Sequence, residues 1–410
     1  MSKKKIAIIG SGISGLSSAF ILSQKYDLTV FEANDRLGGH SNTVKTKSNH
    51  YVDTGFIVFN EKNYPYFCKF LSQLNVESIE SDMSFAYFDQ QKNYFYSSDF
   101  PKGLFSYSPN ILSPSFYGFI YNILRFNKKT LADLDALDES QSLYDYLLKN
   151  GFNQKFIDEY VLPMGAAIWS TSYNDIKSFP VKRFISFWKN HCLLQVLNRP
   201  KWRTVKGGSR EYIKALTNQI NLKYQLNTKI TCINRHDDHV EIVGDWGKTS
   251  FDYVVVATHA DQALHMLESP TKDEQHLLKQ WHYSKNKTLL HTDQSVAPKN
   301  ESAWASWIYT KSNNDIMTAS YYMNRLQNIK STHNYFVTLN YPNQITPANI
   351  EYEALYEHPI MNVQSIETQS SLQQLNKDRT FFCGSYFGNG FHEDGIASAV
   401  KVGEKLGCHF

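Results

Sequence analysis

The sequence predicts an α/β protein made of two interleaved domains, and three stretches carry that expectation. Residues 6–9 form a β-branched apolar run that meets Gly10-Ser11-Gly12-Ile13-Ser14-Gly15, after which Leu16, Ala19, Phe20 and Leu22 recur at helical spacing. A second strand follows at 28–31 and ends at Glu32. Much later, residues 251–258 read as one buried strand running into a small-residue turn. Near the far end, a strand at 380–383 leads through Gly384 and Gly388-Asn389-Gly390 into a helix at 396–406, with Asp394 as its expected N-cap. Strand, glycine turn, helix and strand in that order form a Rossmann-type nucleotide-binding unit, here assembled from both ends of the chain.

The bulk properties bound what such a chain does. At 410 residues it is too long for a small stapled scaffold and suits two or three domains of roughly 150 residues each. A net charge of +3 argues against nucleic acid as a partner. The five cysteines, Cys68, Cys192, Cys232, Cys383 and Cys408, are scattered, which predicts neither a disulfide framework nor a zinc ribbon. Cys232, His236 and His239 sit at irregular spacing near a turn, so no metal site is expected there. Lys3, Lys4 and Lys5 precede an apolar stretch, but Gly10, Gly12 and Gly15 break it and no cleavage site follows. With no long apolar window, the expected place is the cytoplasm, with peripheral membrane contact as an addition. The outlying figure is an aromatic share of 14%.

Each glycine of the first turn has a physical task. Gly10 permits the turn, Gly12 lets backbone approach a pyrophosphate, and Gly15 lets helix pack on strand. The helix start, Ser14 included, then offers N–H groups and a partial positive charge to phosphate. Glu32, twenty residues past Gly12, is placed to accept from an adenosine ribose. NAD would use Glu32 equally well, so the choice of cofactor falls to the residues after it. Glu32-Ala33-Asn34-Asp35-Arg36-Leu37-Gly38-Gly39 resembles the extended motif of the flavin amine oxidases, in which the Gly-Gly segment wraps the FAD pyrophosphate and the arginine contacts it. Val52-Asp53-Thr54-Gly55 is similar to their next block, where a glycine passes close to the flavin. The C-terminal strand–glycine–helix resembles their last FAD motif, whose helix N-terminus faces the flavin pyrimidine and stabilises charge on reduction.

Further stretches resemble a narrower group. They are VDTGFIVFN (52–60), SDMSF (81–85), AIWS (167–170), WRTVKGGSREY (202–212), LHTD (290–293), YMNRL (322–326) and GFHEDG (390–395). Together they are similar to the amine-oxidase-like proteins associated with cyclopropane-fatty-acid synthases, and the likeness covers nearly the whole chain. It implies non-covalent FAD, held by Gly10, Gly12, Ser14, Gly15, Glu32, Arg36, Gly38, Gly39, Gly55, Ile230, Gly384, Gly395 and Ile396. It also implies an FAD domain gathering residues 1–75, 203–265 and 376–410, and an α+β substrate domain gathering 76–202 and 266–375.

The chemistry implied is dehydrogenation or isomerisation of an apolar, fatty-acyl or other lipid substrate, by hydride transfer to flavin N5. His392 stands where amine oxidases place a cage tyrosine, and an imidazole suits proton traffic better than amine binding. Glu393 beside it is a second catalytic residue or a helix cap. Lys287 resembles the lysine that holds a water near the flavin, and a solvated lysine fits its pattern equally. Asn60, Trp169 and Tyr322 are the expected substrate contacts, against turn capping for the first and plain core for the aromatics. Lys206-Gly207-Gly208-Ser209-Arg210 has the look of a phosphate loop but resembles the segment where amine oxidases re-enter the FAD domain. His291 and Asp293 carry no assigned role.

Between Tyr94 and Phe126 eleven aromatics cluster, and residues 115–126 read as a helix apolar on most sides, followed by Lys128 and Lys129. A buried helix of the substrate domain is one reading; an interfacial helix at 115–129 meeting anionic lipid is the other. A small-amine oxidase and a flavin-free prenyl carrier of the GDP-dissociation-inhibitor type are the rival functions.

Overall fold

The structure is a computed structural model and describes residues 3–99, 101–169, 173–195, 200–312 and 317–410. Ser170, which ends the AIWS stretch, lies outside the described residues. Six helices frame the site and its surroundings: α1 (Ile13–Leu22), α2 (Pro65–Gln73), α3 (Pro114–Asp133), α4 (Leu143–Lys149), α5 (Val181–Asn190) and α6 (His392–Lys405).

The nucleotide-type unit is a five-stranded sheet of β1 (Lys5–Ile9), β2 (Asp27–Phe31), β3 (Tyr224–Gln225), β4 (Tyr253–Val256) and β5 (Thr380–Phe382), in the order β3-β2-β1-β4-β5 and parallel throughout. β1 is central, which explains its unbroken apolar run: Ile6 and Ile8 pack on one face, Ala7 and Ile9 on the other. On the Ile6 side, α1 packs against α6 at close range. A Cβ on Gly395 would come 2.8 Å from Ile13 Cγ2 and Ser14 Oγ, and one on Gly403 would come 2.6 Å from Ile21 Cγ2. Small residues on α6 thus let the two ends of the chain meet.

The expected strand 251–258 is two strands. Gly247–Phe251 closes an antiparallel meander with Ile230–Arg235 and Val240–Gly244, whereas β4 joins the parallel sheet, so the chain changes sheets at Asp252. The Asp252 carboxylate marks that corner by accepting from Lys5 N at 2.7 Å. Helix α6 also starts earlier than predicted. Phe391 is the N-cap, and Asp394 lies three residues inside, reaching back to accept from Phe391 N at 2.9 Å. Asp394 therefore does the work of a third-position acid rather than of a cap.

A seven-stranded sheet forms the other layer, in the order Ile350–Pro359, Tyr283–His291, Phe336–Leu339, Met317–Tyr322, Trp307–Lys311, Phe85–Asp89 and Tyr94–Ser97. All pairs are antiparallel except Trp307–Lys311 with Phe85–Asp89. Between the layers, Trp202–Val205 pairs with both Phe59–Asn60 and Ser78–Ser81. The expected domain junctions near 75 and 203 fall at this small sheet.

The aromatic cluster mainly fills core. Tyr94, Tyr96, Phe105, Tyr107, Phe116 and Phe119 contact one another at ring-centroid distances of 5.1–6.4 Å. Phe116, Phe119 and Phe126 form the buried side of α3. Phe100 lies outside the described residues, and the described rings at 94–126 line no part of the large cavity between the layers, so an apolar substrate does not explain those rings.

Candidate active site

The cavity between the layers holds about 1310 Å³, larger than the usual room for one small ligand. Its first wall is the glycine turn. Gly10 has φ +95°, and a Cβ there would come 2.8 Å from the Ala257 carbonyl oxygen. At Gly15 a Cβ would collide with the Gly10 carbonyl, whereas at Gly12 it would meet nothing within 4 Å, because Gly12 faces the cavity. α1 begins at Gly12 with no side-chain cap and no acid in its first turn, so its leading N–H groups have no side chain serving them. An uncapped helix start behind an open glycine is a phosphate cradle.

Glu32 lines the same wall, and its carboxylate accepts from Ser11 N and Oγ at 2.9 and 2.6 Å and from Asn34 N and Nδ2 at 2.9 and 2.8 Å. Two of those donors, Ser11 Oγ and Asn34 Nδ2, are side-chain groups free to rotate away for a sugar hydroxyl. Gly39 brings the second loop against the first, with a Cβ position 3.0 Å from Gly12 Cα.

The opposite end of the cavity is apolar, lined by Met164, Ile168, Trp169, Phe187, Leu193 and Trp307. Trp169 packs against Phe179 and Phe187 at 4.6 and 4.7 Å, and Phe187 stacks on Phe391 at 4.9 Å. At the end of α5, His191 faces this compartment, its ring stacked 3.7 Å from Phe187. Its Nδ1–H donates to the Phe187 carbonyl at 3.0 Å, which leaves Nε2 as the lone-pair nitrogen. Burial holds its pKa down at about 4, so the ring is a neutral base at ordinary pH.

A second group of imidazoles, His40, His259 and His358, lines the middle of the cavity. His40 stacks on Tyr356 at 5.0 Å and lies 5.1 Å from the ring of His358. Burial presses His40 well below the usual range and His358 to about 4. Asn286 Nδ2 donates to His358 Nδ1 at 3.0 Å, so the His358 proton is on Nε2. Among the described residues no group of His, Cys, Asp and Glu is arranged to hold a metal ion.

The fold agrees with what known proteins show. The family model of flavin containing amine oxidoreductases matches residues 13–344. The chain belongs to that family. An L-amino acid oxidase from Bothriechis schlegelii is 23% identical over 311 residues, covering 70% of this chain and 60% of that protein. The chain thus spans about three-fifths of the length of such relatives. Two solved structures share the fold nearly end to end. A CLA-producing fatty acid isomerase from P. acnes has 15% identity and a TM-score of 0.68, covering 97% of this chain and 98% of that one. Cyclohexylamine oxidase from Brevibacterium oxydans IH-35A has 13% identity and a TM-score of 0.68, covering 99% and 100%.

For a flavin amine oxidoreductase the cofactor is FAD, and this cavity fits it: the open Gly12, the uncapped α1 and Glu32 form a dinucleotide wall. Of the residues predicted to hold it, Gly10, Gly12, Ser14, Glu32, Gly39, Gly55, Ile230 and Gly384 line the cavity. Gly15, Gly38, Gly395 and Ile396 stand behind the wall as packing residues. Arg36 also stands outside it, since its guanidinium donates to the Gly39 and Ser41 carbonyls at 2.8 and 3.3 Å and shapes the Gly-Gly loop.

The predicted catalytic and substrate residues divide. His392 lines the cavity, but its ring lies flat on Phe56 at 3.6 Å and its Nε2 contacts Ser41 Oγ at 2.9 Å. Burial takes its pKa to about 3, so it does not keep both protonation states available near neutrality. Glu393 is no cavity residue: its two oxygens accept from Tyr66 N and Phe67 N at 2.8 and 2.9 Å and cap α2. Lys287 is exposed and pairs with Glu353 at 3.1 Å on the outer sheet. Asn60 caps its own turn through Asn63 N at 2.9 Å, and Tyr322 packs with Trp304 and Phe336 away from the cavity. Trp169 alone of the three substrate residues lines it.

Two recognisable stretches turn out to be a buttress. Asp53 of VDTGF is buried and accepts from Ser209 N of the KGGSR loop at 3.0 Å, from Thr43 Oγ1 at 2.5 Å and from Gln327 Nε2 at 2.8 Å. The phosphate-loop look-alike thus spends its Ser209 N–H on a carboxylate. His191, His40, His259 and His358 were missed because they stand singly in sequence; the His191-to-Phe187 spacing, one helical turn, was the one local signal.

Proposed function

We propose that this chain is an FAD-dependent oxidoreductase acting on a long apolar substrate of fatty-acyl type, by dehydrogenation or isomerisation. The observation that carries this reading is the apolar compartment with His191 in its wall. Among the described residues no arginine lines the cavity, so no guanidinium fork faces an amino acid carboxylate there; the cations in its lining are Lys201, paired with Glu80 at 2.7 Å, and Lys229. A fatty acid isomerase built on the same fold is consistent with this class of substrate.

When bound, FAD supplies two-electron acceptance, taking hydride from a substrate C–H bond. The chain does the rest. Met164, Ile168 and Trp169 hold the alkyl chain and exclude water, which strengthens polar interactions within the compartment. His191 Nε2 takes the proton from the neighbouring carbon, and the Phe187 carbonyl holds the ring in the required tautomer and steadies the imidazolium that forms. In an isomerisation the hydride would also go back to the substrate, and His191 Nε2 would return its proton at a different carbon, so that no net oxidation results.

Anaerobic mixing of the purified, flavin-loaded protein with unsaturated fatty acids and with alkylamines tests the reading. Bleaching of the flavin by the fatty acids, or their conversion to positional isomers, supports it. Bleaching by alkylamines alone overturns it in favour of an amine oxidase.

A further inference from the structure

The outward side of α3 is apolar where a solvated helix should be polar. Tyr117, Tyr121, Leu124 and Leu131 lie on one stripe at helical spacing, opposite the buried Phe116, Phe119 and Phe126. Ile111 and Leu112 continue the stripe at the approach to the helix, Leu112 being 88% exposed. Arg125 donates to the Asn150 and Gly151 carbonyls at the end of α4, which brings exposed Leu148 beside the same patch. Seven of the ten exposed large apolar side chains among the described residues are in this one place. Charge sorts with them. Residues 101–132 contain Lys102, Arg125, Lys128 and Lys129 and no carboxylate at all. Lys128 is exposed on the stripe itself, one turn beyond Leu124, and Lys102 is exposed in the segment that leads to the helix; Lys129 is paired with Asp133, and Asp133 and Asp135 follow only at the helix end.

From this geometry we propose that the face formed by 108–131 docks on an anionic phospholipid bilayer, with the α3 stripe entering the headgroup region and Lys102 and Lys128 meeting lipid phosphates. An apolar stripe flanked by cations and cleared of acids is what such a surface selects. A second protein would instead be expected to meet a rim of both signs. The proposal stands apart from the reading of the cavity, because it concerns only where the protein sits.

The test is flotation of the full flavin-loaded protein with vesicles of phosphatidylglycerol and phosphatidylcholine, against phosphatidylcholine alone. Binding to the anionic vesicles is expected. Leu112→Ser combined with Tyr121→Ser should weaken it about tenfold, through loss of inserted apolar surface. Lys102→Glu with Lys128→Glu should abolish the preference for anionic lipid, and binding should fall as salt is raised from about 0.1 to about 0.5 M. These positions are exposed, and the flavin absorbance of each variant reports an intact fold. No flotation with anionic vesicles overturns the proposal, as does unchanged flotation of the Leu112/Tyr121 variant. So does a concentration-dependent dimer, seen by sedimentation and dispersed by that variant, which would give the face to a second copy.

Discussion

Gly12 and Gly15, on the first turn of one helix, show how differently the same residue type is used. Gly12→Ala adds a methyl group where the protein has nothing, so the fold should melt at an unchanged temperature while flavin binding weakens by about 1.4 kcal/mol, or tenfold, in a fluorescence titration. Gly15→Ala drives a methyl group into the Gly10 carbonyl and should cost about 1–3 kcal/mol of stability. His191→Phe keeps the stack on Phe187 and removes Nε2. Flavin reduction by substrate should slow about a hundredfold or more in stopped-flow measurements. In the unsubstituted protein the acid limb of that rate should fall near pH 4, the value to which burial holds His191, and not near 6.5. Lys287→Ala should leave the rate unchanged, since it breaks only an exposed pair with Glu353. The glycine motif was legible because turn, approach and packing each demand a missing Cβ at a fixed offset. His191 was not, because its meaning comes from Phe187, Trp202 and Phe391 packing around it from separate parts of the chain.

At the level of elements, the pairing of α6 with α2 is the least predictable joint. Glu393 sits on the first turn of α6 yet closes the N-terminus of α2, which has no side-chain cap of its own. Burial lifts its pKa to about 7 against the pull of two N–H donors. Glu393→Ala strands those donors and should lower stability by about 1–3 kcal/mol, with flavin reduction little changed at a temperature where the variant is folded. A catalytic glutamate would give the reverse pattern. Sequence periodicity found α1, whose apolar positions recur at helical spacing, whereas 115–126 read as a helix apolar on most sides, so the buried side of α3 was not told from its outward stripe. It misplaced the start of α6 because Asp394 reads as a cap until Phe391 N is seen to be its partner. It joined Phe251 to β4 because a change of sheet made at the single residue Asp252 leaves no turn sequence between the two strands.

For the molecule as a whole, the enclosed imidazoles set the response to acid. His191, His291 and His358 are held at about 4 and His392 at about 3 by burial, and burial lowers His40 and His259 as well. At the first four the unfolded chain binds protons between pH 6.5 and 4 that the folded protein refuses, and at His40 and His259 burial acts in the same direction. Stability is therefore full above pH 6.5 and falls on acidification, by about 1.4 kcal/mol per pH unit for each group. Asp53 and Asp394 near 6, with Glu159 and Glu393 near 7, act the other way: they favour the folded protein at low pH and lose that advantage as pH rises through those values. Fold class was legible from short motifs at both ends, whereas the cavity was not, since its walls are drawn from segments as distant as Ile9 and His392. The central position of β1 has a bearing on synthesis. Its partner β4 is about 240 residues away, so at roughly 5–20 residues per second a nascent chain carries an unpaired apolar edge for about 10 to 50 s. A ribosome stalled before Tyr253 should release a product that needs a chaperone to stay dispersed, and flavin supplied that early would find only one wall of its site.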